Sequence, residues 1–227
     1  MELLSLRNIS KIYEHSGIKT PALTDISLKI DTGEFVVMAG PSGSGKSTLL
    51  NILGTLDQAD SGTVHLDGQD VTRLPSNTLA EIRLRKIGFV FQTYNLIDVL
   101  TAIENVEYVM LLQGISPRVR RERSIEMLEA VDLGDLIHRK TYQMSGGQRQ
   151  RVAVARAVVA EPRLILADEP TANLDSKTGV KLIELMQEFN TAKNITFIIA
   201  SHDPMVIEKA GRVILLKDGK ILEDRSH

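Results

Sequence analysis

Apolar positions along the chain fall into two textures. Short apolar runs at Leu3–Asn8, Leu23–Ile30, Glu34–Met38, Val64–Leu66, Ile87–Gln92, Arg163–Ala167 and Thr196–Ala200 predict strands. Between them, apolar residues recur at helical spacing. They predict helices over residues 46–54, Asn77–Arg85, Glu104–Leu112, Pro117–Val131, Ser145–Ala160, Ser176–Thr191 and Met205–Lys209. Asp67-Gly68 and Asp218-Gly219 mark tight turns, the second closing a hairpin of Val213–Leu216 with Lys220–Leu222. Continuous apolar strands alternating with helices predict an α/β fold whose mainly parallel sheet is covered on both faces.

Residues 93–143 break this rhythm. They carry no strong strand signal, and the helix over Pro117–Val131 is expected to present four arginines on an exposed face. The segment reads as a helical subdomain inserted into a core of residues 1–92 and 144–227, the core carrying an N-terminal antiparallel β subdomain.

Composition narrows the classes. With 227 residues, 43% apolar, the chain can bury a core and is not disordered. No apolar run approaches the ~18–20 residues of a membrane span, and the start lacks the pattern of a secretory signal. There is no cysteine, so no disulfide framework. A net charge of −2 gives no electrostatic case for nucleic acid, and none is expected as a partner. Nor is an appended regulatory domain expected after Leu222.

One stretch carries explicit chemistry. Gly40-Pro41-Ser42-Gly43-Ser44-Gly45-Lys46-Ser47 fits the phosphate-binding pattern G-x-x-x-x-G-K-[ST] between an apolar strand and a helix. Glycines let successive N–H groups face a phosphate, and the helix mouth adds partial positive charge. Lys46 can reach the β- and γ-phosphates, and the Ser47 hydroxyl can meet Mg²⁺. The loop says nucleoside triphosphate and leaves the task open.

Two further features bear on that task. The strand Leu164–Ala167 ends in Asp168-Glu169, two carboxylates that strand alternation would point apart. Asp168 suits Mg²⁺, and Glu169 suits a general base or water-orienting group. At Met144-Ser145-Gly146-Gly147-Gln148, Ser145 is a good N-cap and Gln148 stands at capping-box distance. The two glycines need another reason, and a bare helix mouth beside a Ser hydroxyl is a second anion site.

Here the chain resembles the ATP-binding cassette family over essentially its whole length. Ser145-Gly146-Gly147-Gln148 is similar to the family's signature motif, with Met144 where leucine is commonest. The resemblance implies that Tyr13 stacks on adenine and that Gly40–Thr48 (Gly40, Ser42, Gly43, Ser44, Gly45, Lys46, Ser47, Thr48) is the Walker A loop. Gln92 resembles the Q-loop glutamine, which senses Mg²⁺ and nucleotide. Leu164–Glu169 matches Walker B with the catalytic glutamate, Asn173-Leu174-Asp175 the D-loop, and His202 the switch histidine that contacts the γ-phosphate. Ser47, Gln92 and Asp168 are then the Mg²⁺ ligands.

Within the family, Leu53-Gly54-Thr55-Leu56-Asp57, Phe89–Leu96 and Leu100–Val106 resemble the lipoprotein-release and macrolide-efflux branch. Asp98, Ala59, Tyr108-Val109 and Thr141-Tyr142 stand where that branch commonly has proline. The resemblance implies an ATPase that packs head to tail with a second copy of itself around two ATP. It further implies that residues 93–143 contact an integral membrane permease, so that the chain is cytoplasmic and peripheral on the inner face of the cell membrane. A regulatory ATPase that drives transmembrane signalling, of cell-division or cell-wall type, would carry the same motifs without moving a substrate.

Overall fold

A computed structural model describes residues 1–226. In chain order the elements are β1 (Glu2–His15), β2 (Ile18–Asp31), β3 (Phe35–Ala39), α1 (Lys46–Leu53), β4 (Ser61–Leu66), β5 (Gln69–Asp70), α2 (Ser76–Lys86), β6 (Ile87–Phe91), α3 (Ala102–Leu112), α4 (Pro117–Ala130), α5 (Gly146–Val159), β7 (Leu164–Asp168), α6 (Ser176–Lys193), β8 (Thr196–Ser201), α7 (Pro204–Glu208), β9 (Arg212–Lys217) and β10 (Lys220–Ser226). The fold is α/β, with parallel strands and an antiparallel N-terminal sheet. Among the described residues, no helix is long and apolar enough to cross a membrane. The chain divides into two units, Met1–Arg83 with the segment from Thr196 onward, and Leu84–Ile195.

In the first unit, β3 is buried at all five positions and lies between β8 and β9, parallel to both. A strand flanked on both edges and covered on both faces has no polar face to show, which explains the unbroken Phe-Val-Val-Met-Ala run. Phe35 and Phe197 face each other in register, with ring centroids 5.7 Å apart. Antiparallel strands β2, β1, β4 and β5 form the other sheet of this unit. Both expected Asp-Gly turns are present, with left-handed pairs at Asp67-Gly68 and Asp218-Gly219. Arg212 ties the unit together, donating from Nη2 to Asp224 at 2.7 Å and from Nη1 to Glu34 and the Lys29 carbonyl at 2.9 Å. These contacts, the Asp224 hydrogen bond foremost, raise its pKa further.

The β1–β2 hairpin is longer than the expected strands, running through Ser16-Gly17. Its outer half is exposed on both faces from Ile12 to Thr20, so it has no apolar alternation to announce it. Helix α1 ends at its C-cap Gly54. Gly54 stays helical at φ −77°, and Thr55 takes the left-handed turn at φ 56°.

In the second unit, β6 and β7 pair in parallel from Ile87 opposite Leu164 to Phe91 opposite Asp168. Helix α5 packs on β6 so closely that a Cβ at Gly88 would lie 2.7 Å from the Ala157 carbonyl oxygen. The residue of α5 that faces the glycine is the small Ala157, whose own Cβ would lie 3.2 Å from that added atom. Residues 93–143 fall inside this unit, where α3 packs on both α4 and α5. A capping box between Thr101 and Glu104 starts α3. Asn105, 1% exposed, accepts from the Ile97 N–H and donates to the Ile97 and Thr101 carbonyls, fixing the loop before the helix.

The arginine face of α4 is a correction. Only Arg118 is fully exposed. Arg120 folds back to the Ile115 carbonyl, Arg121 pairs with Glu107 on α3, and Arg123 with Glu161. Three of the four are therefore half-buried and make polar contacts within the unit instead of forming one solvated face.

Candidate functional site

Strand ends gather the candidate residues, unit by unit. In the first unit, Ala39 is in register with Ser201, so Gly40 and His202 leave the carboxyl ends of neighbouring parallel strands. In the second, Phe91 is in register with Asp168, so Gln92 and Glu169 leave together in the same way. Carboxyl ends of parallel strands are where open α/β sheets place ligands.

The loop from Gly40 is a closed cradle. A Cβ at Gly40, where φ is 150°, would lie 2.2 Å from the Leu216 carbonyl oxygen, so no other residue fits. Helix α1 starts at Lys46 without a side-chain cap, and the first N–H groups of a helix have no partner within the helix itself. Lys46 is 7% exposed and curls back, donating from Nζ to the Gly40 carbonyl at 2.7 Å and the Pro41 carbonyl at 3.1 Å. The Ser44 hydroxyl is buried and makes no hydrogen bond among the described residues. A buried orphan hydroxyl, an uncapped helix mouth and an ammonium parked on loop carbonyls together fit a polyphosphate.

Tyr13 stands on β1, 42% exposed, with the Lys11 ammonium 5.2 Å from its ring centroid. His202 is exposed just beyond β8, and Asp203 after it caps α7 through the Met205 N–H.

In the second unit, the helix mouth of α5 has the expected capping box. The Ser145 N–H donates to Gln148 Oε1 at 2.9 Å, and the Gln148 N–H to Ser145 Oγ at 3.3 Å. Both glycines answer to close neighbours. A Cβ at Gly147 would meet Thr178 at 2.8 Å, and one at Gly146 would meet the Tyr94 hydroxyl at 3.0 Å. The mouth opens into a surface pocket of about 460 Å³ that also takes in Asn173, Asp175 and the Arg151 side chain. Arg151 is paired with Asp132 at 2.8 Å on the pocket rim. Asp175 caps α6, and hydrogen bonds from the Thr178 hydroxyl and N–H hold its carboxyl below the usual range.

Asp168 closes β7, and Glu169 follows at φ 46°. Glu169 therefore leaves a left-handed turn just after the strand, where the sequence reading expected the strand's own alternation to separate the two carboxylates. A glutamate in that conformation carries strain of about 1 kcal/mol or more, the kind found at functional sites.

Around Gln92 the chain is tightly held. Tyr94 and Asn95 are both left-handed, at φ 63° and 48°. Arg156 of α5 donates to the carbonyls of both, and burial lowers its pKa. The Arg149 guanidinium lies 4.8 Å from the Tyr94 ring centroid, and Asn173 donates to the Gln92 carbonyl at 2.9 Å. The sequence reading missed Arg156 and Tyr94 as site residues. The available signal was an arginine on the apolar face of a helix, which is seldom placed there without a partner.

A family model described as ABC transporter matches residues 23–172. The chain is 43% identical over 225 residues to the lipoprotein-releasing system ATP-binding protein LolD of Anaeromyxobacter dehalogenans (strain 2CP-C), covering 99% of this chain and 94% of that one. It is 44% identical over 223 residues to the macrolide export ATP-binding/permease protein MacB of Syntrophobacter fumaroxidans (strain DSM 10017 / MPOB), covering 97% of this chain but 31% of that longer one. Among solved structures, the dimeric post-hydrolysis state of the ATP-binding cassette MJ0796 bound to ADP and Pi matches with a TM-score of 0.92 and 42% identity, over 99% of this chain and 98% of that one.

Proposed function

The chain belongs to the ABC transporter family, and from that premise we propose that it is the ATP-hydrolysing subunit of an export or lipoprotein-release transporter, working as a head-to-tail homodimer on a separate membrane permease. The observation that supports this most is the mouth of α5. Its capping box is satisfied internally, and it opens into a surface pocket lined by Ser145, both glycines and Gln148, where the first N–H groups of a helix have no partner within the helix. A second anion mouth on a chain that already has a phosphate loop suits the γ-phosphate of an ATP held by another copy.

In the proposed dimer each ATP binds the Gly40–Thr48 loop of one chain and Ser145–Gln148 of the other, with Tyr13 beneath the adenine. Lys46 exchanges its loop carbonyls for phosphate oxygens. Ser47, Asp168 and Gln92 would hold Mg²⁺. Their hydroxyl, carboxylate and amide oxygens are the hard donors this ion takes, and when bound it neutralises phosphate charge. Glu169 orients a water and takes its proton as the water oxygen attacks the γ-phosphorus. The bond to the β-phosphate oxygen breaks, leaving ADP and phosphate. His202 contacts the γ-phosphate. ATP bridges the chains only in the closed state, so it favours closure by that difference in affinity, and hydrolysis removes it.

Residues 93–143 are the proposed contact with the permease, which would place the chain on the inner face of the membrane. Purification from solubilised membranes tests this. A permease that co-purifies supports the transporter reading; a membrane protein without a transport path supports signalling; recovery of the chain without any membrane protein contradicts both.

A further inference from the structure

Tyr13 is held in an unusual way for an exposed ring. Its hydroxyl donates to Asp57 Oδ2 at 2.8 Å. The other carboxylate oxygen of Asp57 accepts from Lys11 Nζ at 2.7 Å and from the Gln58 N–H at 2.7 Å. Lys11 also donates to the Gln58 carbonyl at 2.7 Å, and its ammonium sits over the Tyr13 ring. The same two segments are joined again by the Ile12 N–H to Asp60 Oδ2 at 2.6 Å and the Asp60 N–H to the Ser10 carbonyl at 2.9 Å. Asp57 is in turn anchored to α1, because its N–H and that of Leu56 both donate to the Asn51 carbonyl. Helix α1 begins at Lys46, so one short rigid element carries the phosphate loop at its start and the Tyr13 anchor just past its end.

A tyrosine on a solvated strand ordinarily keeps its rotamer freedom, and a tyrosine that serves packing is buried. Tyr13 does neither, being tied at its hydroxyl and cation-backed at its ring while 42% of its surface stays open. Fixing an aromatic plane in advance removes the ordering cost from whatever stacks on it. We propose that Asp57, with Lys11, is a positioning residue that locks Tyr13 as the platform for the nucleobase at a set distance from the phosphate loop. The inference rests on the reading of Tyr13 as the adenine platform and adds the device that holds it. Burial and the Asp57 hydrogen bond raise the Tyr13 pKa, so the phenol stays a donor, while Thr48 acts the other way.

The test compares two ligands on the full-length chain without divalent cation: ATP, which has a base, and inorganic tripolyphosphate, which has none. Asp57→Ala and Tyr13→Phe should each weaken ATP by about fivefold to tenfold, the scale of one hydrogen bond. The double variant should lose no more than Asp57→Ala alone, since both substitutions remove the Tyr13–Asp57 hydrogen bond. Tripolyphosphate affinity should stay within about twofold throughout, by the same arithmetic. Tyr13→Ala is the control for the platform itself. If Tyr13→Ala leaves ATP affinity unchanged, the platform reading fails. If Tyr13→Ala weakens ATP but Asp57→Ala and Tyr13→Phe do not, the positioning role is overturned while the platform stands. Equal losses for ATP and tripolyphosphate would overturn it too, by showing a general effect on the loop.

Discussion

The guanidinium of Arg156, on the buried side of α5, reaches the backbone of Tyr94 and donates to its carbonyl at 3.0 Å while its other arm takes the carbonyl of Asn95. Those two residues are left-handed in succession, a conformation costing roughly 1 kcal/mol or more for each. The segment just after Gln92 is thus held in an unfavourable shape by the helix whose mouth is Ser145–Gln148. Both lie in the second unit, and Arg149 over the Tyr94 ring reinforces the link.

Arg156→Ala should therefore be costly although Arg156 is far along α5 from the mouth. It leaves two carbonyls without their donor and removes a buried stem, an expected loss of about 2–4 kcal/mol. Arg156→Lys should recover part, because one ammonium cannot span both carbonyls in a plane. Denaturant midpoints of the three proteins check this, with the lysine variant falling between the other two.

Glu169→Gln keeps the shape of the side chain and removes its basicity. ATP binding should persist, while hydrolysis falls by at least ~10²-fold, the usual scale for a lost general base. With turnover blocked, the variant should elute as a dimer from a sizing column when ATP is present. Near-normal turnover would end the base assignment.

Gly40→Ala should abolish ATP binding with little need of chemistry. The added methyl would lie 2.2 Å from the Leu216 carbonyl oxygen, and backbone cannot yield as a flexible side chain would. Calorimetry with ATP reads the loss. The folded core should survive, since the clash is confined to the loop and β9.

The Asp57 anchor sets a pH expectation. Burial raises the Asp57 pKa, but hydrogen bonds from Lys11, Tyr13 and the Gln58 N–H outweigh it and bring the carboxyl below its ordinary range. A depressed carboxylate stabilises fully above its unfolded value, about 3.9, and loses that contribution only as pH falls through the folded value. Tyr13 is raised, so its contribution holds below about 10 and fades as pH rises beyond. The ratio of ATP affinities between the unaltered chain and Asp57→Ala should therefore be flat from about pH 5 to pH 9.

The parts legible in the sequence were those where residue type itself does the work. Only glycine fits at Gly40, an ammonium is wanted at Lys46, and Ser145 with Gln148 forms a capping box that any reader can space out. Buried strands such as β3 were equally plain, because a strand covered on both faces is apolar at every position. What could not be read were polar contacts between distant segments. Asp57 looks like a loop acid, Asn105 like a helix surface residue and Arg156 like one more arginine. Each acquires its role only when the fold brings a particular carbonyl, hydroxyl or ammonium to it. Similarly, the arginines of α4 were misjudged because helical spacing does not say which neighbours stand opposite.

Mixing two inactive chains tests the shared site most directly. Lys46→Ala disables the phosphate loop, and Ser145→Asp keeps a good N-cap while setting a carboxylate where the γ-phosphate would lie. Each variant alone should hydrolyse almost no ATP. In a head-to-tail pair of one with the other, both defects fall in one site and the second site is intact. The account predicts that mixing restores hydrolysis above the sum of the separate proteins. A mixture as inactive as its parts, when both variants still form the mixed dimer, would contradict it.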